Sequence, residues 1–211
     1  MKGIILCNGL PPKAPLLRMH LEEAQLFIAA DGGGNTARDL GHQPDLVIGD
    51  LDSFRPSQDD DFEVIKDTDQ ETNDLEKALE LAAKRSVSHA VVLGVTGQRI
   101  DQTLKNLSVL KSFNDQFDTL VFEDNFGTMF LLPRSYSAEL TEGTTVSLFP
   151  LSGRVEGIHT QGLKYPLRDE SLENGIRDGS SNRVISSPIE ITYRTGDLLI
   201  FVGRDETQDE F

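Results

Sequence analysis

The sequence predicts a three-layer α/β domain, a mostly parallel sheet between helices, followed by a C-terminal all-β sandwich domain. Three observations carry this expectation. As far as about residue 133, short apolar runs alternate with amphipathic helical patterns. Several of these runs are apolar without interruption, as strands covered on both faces must be. Beyond Pro133 the long helical patterns stop, and short strand patterns separated by glycine-containing turns replace them. The expected domains are therefore residues 1–133 and 134–211.

In the first domain, residues 3–8, 26–31, 45–50, 62–67, 89–95 and 119–123 read as strands, and 16–25, 35–40, 74–85 and 101–113 as helices. Leu75, Ala78, Leu79 and Ala82 recur at the spacing of one buried helix face, and Leu104, Leu107 and Leu110 predict the same for the last helix. A succession of this kind places helices over a parallel sheet. In the second domain, residues 136–140, 144–149, 155–160, 184–186, 189–194 and 198–202 read as strands, with a turn near Leu172. Turn chemistry stands between them at Glu142-Gly143, Ser152-Gly153 and Thr195-Gly196-Asp197.

Composition narrows the function. The 211 residues are 37% hydrophobic and 26% charged, the balance of a soluble globular chain. No apolar run approaches the roughly 20 residues a membrane helix needs. Thirty-five acidic residues against 20 basic ones give a net charge of -15, which disfavours nucleic acid and anionic membranes as partners. ATP stays compatible, because a local group of cations can override the global field. Met1 to Cys7 is too short an apolar patch for a signal peptide, so a cytoplasmic protein is expected. Cys7, the one cysteine, cannot form an internal disulfide and is expected as a small buried hydrophobe. His20, His42, His89 and His159 show no metal-ligand spacing and suit surface or strand-end positions; Asp59-Asp60-Asp61 suits a solvated turn.

The chemistry gathers where apolar runs end. Residues 46–48 lead into Gly49-Asp50-Leu51-Asp52-Ser53, two carboxylates two residues apart at the carboxyl edge of the sheet, where open α/β folds bind ligands. On extended backbone Asp50 and Asp52 share a face and can hold a hard cation such as Mg²⁺; the plainer reading is a turn with aspartate caps. Asp31-Gly32-Gly33-Gly34 ends a second strand with backbone N–H groups a phosphate could approach. Asp74 and Lys77, three apart on one helix, put an acid and a base on similar sides, or form a surface ion pair. Arg99 offers a donor fork to phosphate, Asp101 a metal ligand or a helix cap, and Gln102 a neutral partner. The dinucleotide and P-loop fingerprints are both missing from these glycine-rich turns.

These segments resemble the thiamine pyrophosphokinase (thiamine diphosphokinase) family. The matching text is Ala30-Asp31-Gly32-Gly33, Ile48-Gly49-Asp50-Leu51-Asp52-Ser53, Asp69-Gln70 with Asn73-Asp74-Leu75-Glu76-Lys77-Ala78, and Gly94-Val95-Thr96-Gly97-Gln98-Arg99-Ile100-Asp101-Gln102. Gly162-Leu163-Lys164-Tyr165-Pro166-Leu167, Leu172, Gly175, Ser181-Asn182 and Gly196-Asp197-Leu198-Leu199-Ile200 continue it. The resemblance implies transfer of the pyrophosphoryl group of ATP to thiamine with release of AMP, by a homodimer that binds thiamine between subunits. It implies that Asp50, Asp52, Asp74 and Asp101 hold Mg²⁺ and its phosphates. Asp31, Gly32, Gly33, Gln70, Lys77, Arg99 and Gln102 would surround the nucleotide, with Asp50, Asp52, Asp74, Arg99 and Asp101 as the catalytic set. Ser180, Ser181 and Asn182 would line the thiamine pocket.

The chain departs from the family pattern at Gln98, where a second glycine usually precedes the arginine, and at Gln102, where many bacterial members carry histidine. Ser180 stands where an apolar or aromatic residue is common, and Arg183 replaces a common glutamate. Serine has no stacking face for a heteroaromatic cation. Two competing readings therefore stand beside the first: a related pyrophosphokinase acting on a hydroxymethylpterin or another heterocyclic alcohol, and a Mg-nucleotide-binding protein without turnover. An aromatic wall around the acceptor would come from Phe54, Phe126 or Tyr165.

Overall fold

The computed structural model describes residues 1–204; the last seven residues of the expected second domain, 205–211, lie outside the described residues. The chain divides into two compact units between Asn125 and Phe126.

In the first unit the apolar runs form β1 (Lys2–Leu6), β2 (Leu26–Ala30), β3 (Leu46–Gly49), β4 (Glu63–Lys66), β5 (His89–Leu93) and β6 (Thr119–Glu123). They lie in the order β6-β5-β1-β2-β3-β4, every neighbouring pair parallel. The central strands β1 and β2 are buried almost throughout, which is why their sequences are continuously apolar. Four helices connect them: α1 (Ala14–Leu21), α2 (Gly33–Asp39), α3 (Asp74–Lys84) and α4 (Ile100–Phe113). Leu16 and Leu17 of α1 and Ala37 of α2 pack with Ile4, Leu6, Phe27 and Leu93 on one face of the sheet. Helix α3 packs against β1, β2 and β3, and α4 against β6 and α3. These are the three expected layers.

Helix α3 starts where Asn73 closes a capping box: its side chain accepts from the Glu76 N–H at 2.9 Å and the Glu76 carboxylate accepts from the Asn73 N–H at 2.8 Å. Its buried face is Leu75, Ala78, Leu79 and Ala82, as the spacing predicts, joined by Lys77. The face predicted for α4 holds at Leu110, which is buried, and at half-buried Leu107, and is corrected at Leu104. Leu104 is exposed, and the inward stripe runs from Asn106 through Val109, Leu110 and Phe113. A polar residue opens that stripe because Asn106 Nδ2 donates to the Val95 carbonyl at 2.9 Å, a partner that apolar counting does not reveal.

His20 is also corrected: it lies buried on α1, Nε2 2.9 Å from the Glu123 carboxylate, rather than at a surface. Asp60 is more than solvated turn, since it accepts from Arg38 at 2.8 Å and from the Ser57 N–H at 2.7 Å. Cys7 is buried as expected.

The second unit contains β7 (Gly127–Leu131), β8 (Ser135–Ala138), β9 (Thr145–Pro150), β10 (Val155–Gln161), β11 (Arg168–Leu172), β12 (Gly179–Arg183), β13 (Ile189–Thr192) and β14 (Leu198–Gly203). One antiparallel sheet runs β12-β9-β14-β7 and the other β11-β10-β13-β8. Val146, Leu148, Leu198 and Ile200 from the first sheet meet Ile158, Leu172, Ile189 and Ile191 from the second in one core, a β-sandwich. The unit begins ahead of Pro133 because β7 pairs with β14 along its whole length. The strand expected at 184–186 is absent; Val184 makes an isolated bridge to Leu163, and the strand is the polar segment just before it, β12. Likewise β11 occupies the place of the turn expected near Leu172.

Candidate active site

A cavity of about 380 Å³ opens at the carboxyl edge of the parallel sheet. The ends of β1, β2, β3 and β5, and the starts of α3 and α4, line it with Asn8, Asp31, Asp52, Asp74, Gln98 and Arg99 among others. Parallel strands deliver their carboxyl ends to the same side, so residues far apart in sequence converge there.

Three carboxylates meet. One oxygen each from Asp31, Asp50 and Asp74 lie within 4.8 Å of one another. Asp31 is nearly fully buried and adopts a positive φ of 45°, with its Oδ2 and Oδ1 accepting the N–H groups of Ser53 and Phe54 at 3.2 and 3.1 Å. The loop after β3 is thereby folded back onto the end of β2. Burial pushes the Asp31 carboxyl above the usual aspartate range, against the pull of those hydrogen bonds. Asp74, at the first turn of α3, is also raised, first by burial and then by the charge of Asp31, with Asp50 adding to it and Lys77 opposing it.

Lys77 is 4% exposed. Its ammonium lies 3.6 Å from Asp74 Oδ1 and donates to the Asp67 carbonyl at 3.1 Å. The expected acid and base therefore share one site, with the lysine buried and the Asp74 carboxylate half-buried, rather than forming a pair that faces solvent. Cys7 lines the same cavity, but burial, with Asp74 nearby, raises its thiol to about 12, so it is no thiolate nucleophile.

The remaining expected residues are distributed unevenly. Asp52 lines the cavity but stands outside the three-carboxylate group, exposed and accepting from the Ser53 hydroxyl at 2.9 Å. Asp101 also stands outside it, at the start of α4, where Arg99 Nε donates to its carboxylate at 3.1 Å. That contact holds Asp101 below the usual range and raises Arg99. Gln102 lines the cavity; Gln70 is exposed outside it, donating weakly to the Thr68 carbonyl. Gly32 and Gly33 are buried under the end of β1, where a Cβ on Gly33 would stand 2.0 Å from the Leu6 carbonyl oxygen, so close packing by itself calls for glycine at 33.

In the second unit Ser180 and Ser181 are exposed, whereas Asn182 is buried. The Asn182 carboxamide accepts from the Tyr165 N–H at 3.0 Å and donates to its carbonyl at 2.8 Å, tying the segment between β10 and β11 to β12. Phe54 is buried against Phe62, and Phe126 and Tyr165 are exposed.

Asn8, Gly9, Asn73 and Asn106 complete the cavity and were not singled out as site residues from the sequence. Asn73 Nδ2 donates to Asn106 at 3.2 Å, linking the start of α3 to α4. The signal for Asn8 and Gly9 is their position at the carboxyl end of the strand pattern 3–8, the same logic that points to Asp31 and Asp50.

The donor set fits a small divalent cation: three hard carboxylate oxygens converge, two of them on carboxyls destabilised as anions by burial. With a buried lysine and an arginine at the rim, this arrangement suits an α/β enzyme that works on a metal-bound phosphate group. The chain belongs to the thiamin pyrophosphokinase family: residues 17–122 match the family's catalytic domain and 134–198 its vitamin B1 binding domain. It is 29% identical to thiamine pyrophosphokinase 1 of Oryza sativa subsp. japonica, an alignment covering 90% of this chain and 82% of that protein. It is 26% identical to thiamine pyrophosphokinase of Bacillus subtilis, covering 97% and 100%. The fold agrees with the crystal structure of the Bacillus subtilis thiamine pyrophosphokinase at a TM-score of 0.85 and 23% identity, covering 97% and 100% of the two chains. It agrees with that of thiamin pyrophosphokinase from Candida albicans at 0.84 and 19%, covering 97% and 90%. No helix among the described residues is long and apolar enough to cross a membrane.

Proposed function

We propose that this chain transfers the pyrophosphoryl group of ATP to the hydroxyl of thiamine, giving thiamine diphosphate and AMP. The observation that carries the reading is the convergence of Asp31, Asp50 and Asp74 beside Lys77, inside the segment matched to the catalytic domain. Asp31, Asp50 and Asp74 would hold Mg²⁺, which when bound neutralises charge on the polyphosphate oxygens. Asp52, on the cavity wall two residues from Asp50, would assist it.

The chain's own groups do the rest. Lys77 fixes Asp74 in place and lowers the repulsion among the carboxylates. Arg99, exposed at the rim, exchanges Asp101 for phosphate oxygens through its donor fork and stabilises charge as it builds in the transition state. A carboxylate near the thiamine hydroxyl would orient it, and Asp74, which lines the cavity where Asp101 does not, suits that role. Thiamine would be bound with the help of the exposed Ser180 and Ser181, Ser180 being held by Asp178; Asn182 would support that wall through Tyr165.

A homodimer in the cytoplasm belongs to the same reading. Tyr165, Ile176 and Ile185 leave apolar surface exposed on the second unit, which a second copy would cover. Sedimentation equilibrium over a range of concentrations should show a dimer; a fully active monomer would defeat a shared site. The acceptor is tested by a substrate panel under identical ATP and Mg²⁺. Thiamine should have the highest kcat/KM, and a hydroxymethylpterin turned over far faster would reassign the acceptor.

A further inference from the structure

We propose that Gln98 is a positioning residue for the transfer: its carboxamide ties the Arg99 loop to the end of β1 and so sets where the Arg99 side chain enters the cavity. This rests on the transfer reading above and concerns the residue at which the chain departs from the glycine of the family pattern.

Gln98 Nε2 donates to two backbone carbonyls of one strand end, those of Asn8 and Gly9, each at 3.0 Å. Nearer β5 the same two segments are joined by backbone bonds, Gly9 N–H to Gly94 O at 2.8 Å and Leu10 N–H to Thr96 O at 2.7 Å. Thr96 is held further by its hydroxyl, which donates to Asp124 at 3.0 Å. The packing there is so close that a Cβ on Gly9 would stand 2.3 Å from the Gly94 oxygen. After Gly97 this stitching passes to the Gln98 side chain, immediately before Arg99.

The backbone at Gln98 is left-handed, φ 53°. Glycine adopts that conformation without strain, so a glutamine is not there for the backbone's sake. What it adds is a pair of donors in register with two carbonyls. The tie also reaches the carboxylates: the Asn8 side chain lies against Gly32, where a Cβ would stand 2.4 Å from Asn8 Cγ, and Gly32 follows Asp31. Gln98 thus references the Arg99 backbone to the strand ends that present Asp31. Arg99 is exposed and paired with Asp101, so to reach a polyphosphate it must turn about its own backbone. A pivot fixed by Gln98 shortens that search, and misplacement by about 1 Å can cost up to about a hundredfold in rate.

The test compares Gln98→Gly, which keeps the backbone conformation and removes the donors, with Gln98→Ala, each with and without Arg99→Ala. We expect kcat/KM for ATP to fall about tenfold in both single variants, with thiamine KM unchanged and melting temperature within about 2 °C of the parent. The loss should vanish in the Arg99→Ala background, the signature of a residue acting through another. An equal loss in that background, or full activity of Gln98→Gly, would overturn the proposal. Should Gln98→Ala not fold, Gln98→Gly carries the test. Hydrogen exchange at the amides of residues 96–99 should speed up in Gln98→Gly even if thiamine proves not to be the acceptor; unchanged exchange would refute the tie itself, whatever the activity.

Discussion

Gly49 leaves no room for a side chain beside Asp74: a Cβ at residue 49 would stand 2.9 Å from Asp74 Oδ1. The same Cβ would stand 2.9 Å from the Cβ of Asp31. The glycine that ends β3 is therefore what allows two carboxylates, one after β2 and one at the start of α3, to close on Asp50. Gly49→Ala should push Asp74 and Asp31 apart, destabilising the protein by roughly 1–3 kcal/mol through overpacking and lowering Mg²⁺-dependent turnover more than that loss of stability explains. Urea unfolding and initial rates at a temperature where the variant is folded would check it. Near-parental turnover would mean that the spacing of these carboxylates is not critical.

The carboxylate group sets the order of two further substitutions. Asp50 belongs to the three-oxygen group and Asp52 does not. Asp50→Asn should therefore raise the Mg²⁺ concentration needed for half-maximal rate more than Asp52→Asn does, with about a hundredfold or greater loss of kcat for the former. Asp59→Asn, on an exposed turn, should behave as the parent. Magnesium titrations of all three decide the order.

Asp74 gives a pH dependence whose sign follows from its surroundings. Burial first, then the charges of Asp31 and Asp50, raise its folded-state pKa above the ordinary value of 3.8, with Lys77 opposing. Between those two values the native state holds the proton more tightly than the unfolded chain does. The carboxyl's stabilising contribution is thus present below the unfolded pKa and lost as pH rises through the folded one. Asp74→Asn removes that titration. In metal-free buffer the stability of the variant relative to the parent should rise as pH goes from about 4 to about 7, and saturating Mg²⁺ should shrink the gain. A flat or falling difference in urea melts would contradict this account of the site.

Much of this was legible in the sequence because parallel strands place every carboxyl end on one edge. The apolar runs before Asp31 and Asp50, and the spacing of Asp74 and Lys77 on one helix, point to this sheet edge without any structure. Which carboxylates actually meet was not legible. Asp50-x-Asp52 suggests a pair by spacing, yet Leu51 has a φ of 66°, so the backbone is not extended there and the alternation fails. Asp31, which the resemblance sets around the nucleotide, also stands in the carboxylate group, because its side chain is held by the Ser53 and Phe54 amides across a loop. In the second unit, β11 and β12 carry polar sequences with no apolar alternation, so only pairing with their neighbours reveals them. The neutral cavity residues Asn8, Asn73 and Asn106 work through hydrogen bonds between segments distant in sequence, which neither charge nor periodicity records.

In the proposed reaction two phosphoryl units move together from ATP to thiamine. Phosphorus NMR of the purified protein with ATP, Mg²⁺ and thiamine follows that directly. The account predicts thiamine diphosphate and AMP appearing in equal amounts, with no ADP as a stoichiometric product. ADP formed together with thiamine monophosphate would contradict it and show transfer of a single phosphoryl group instead.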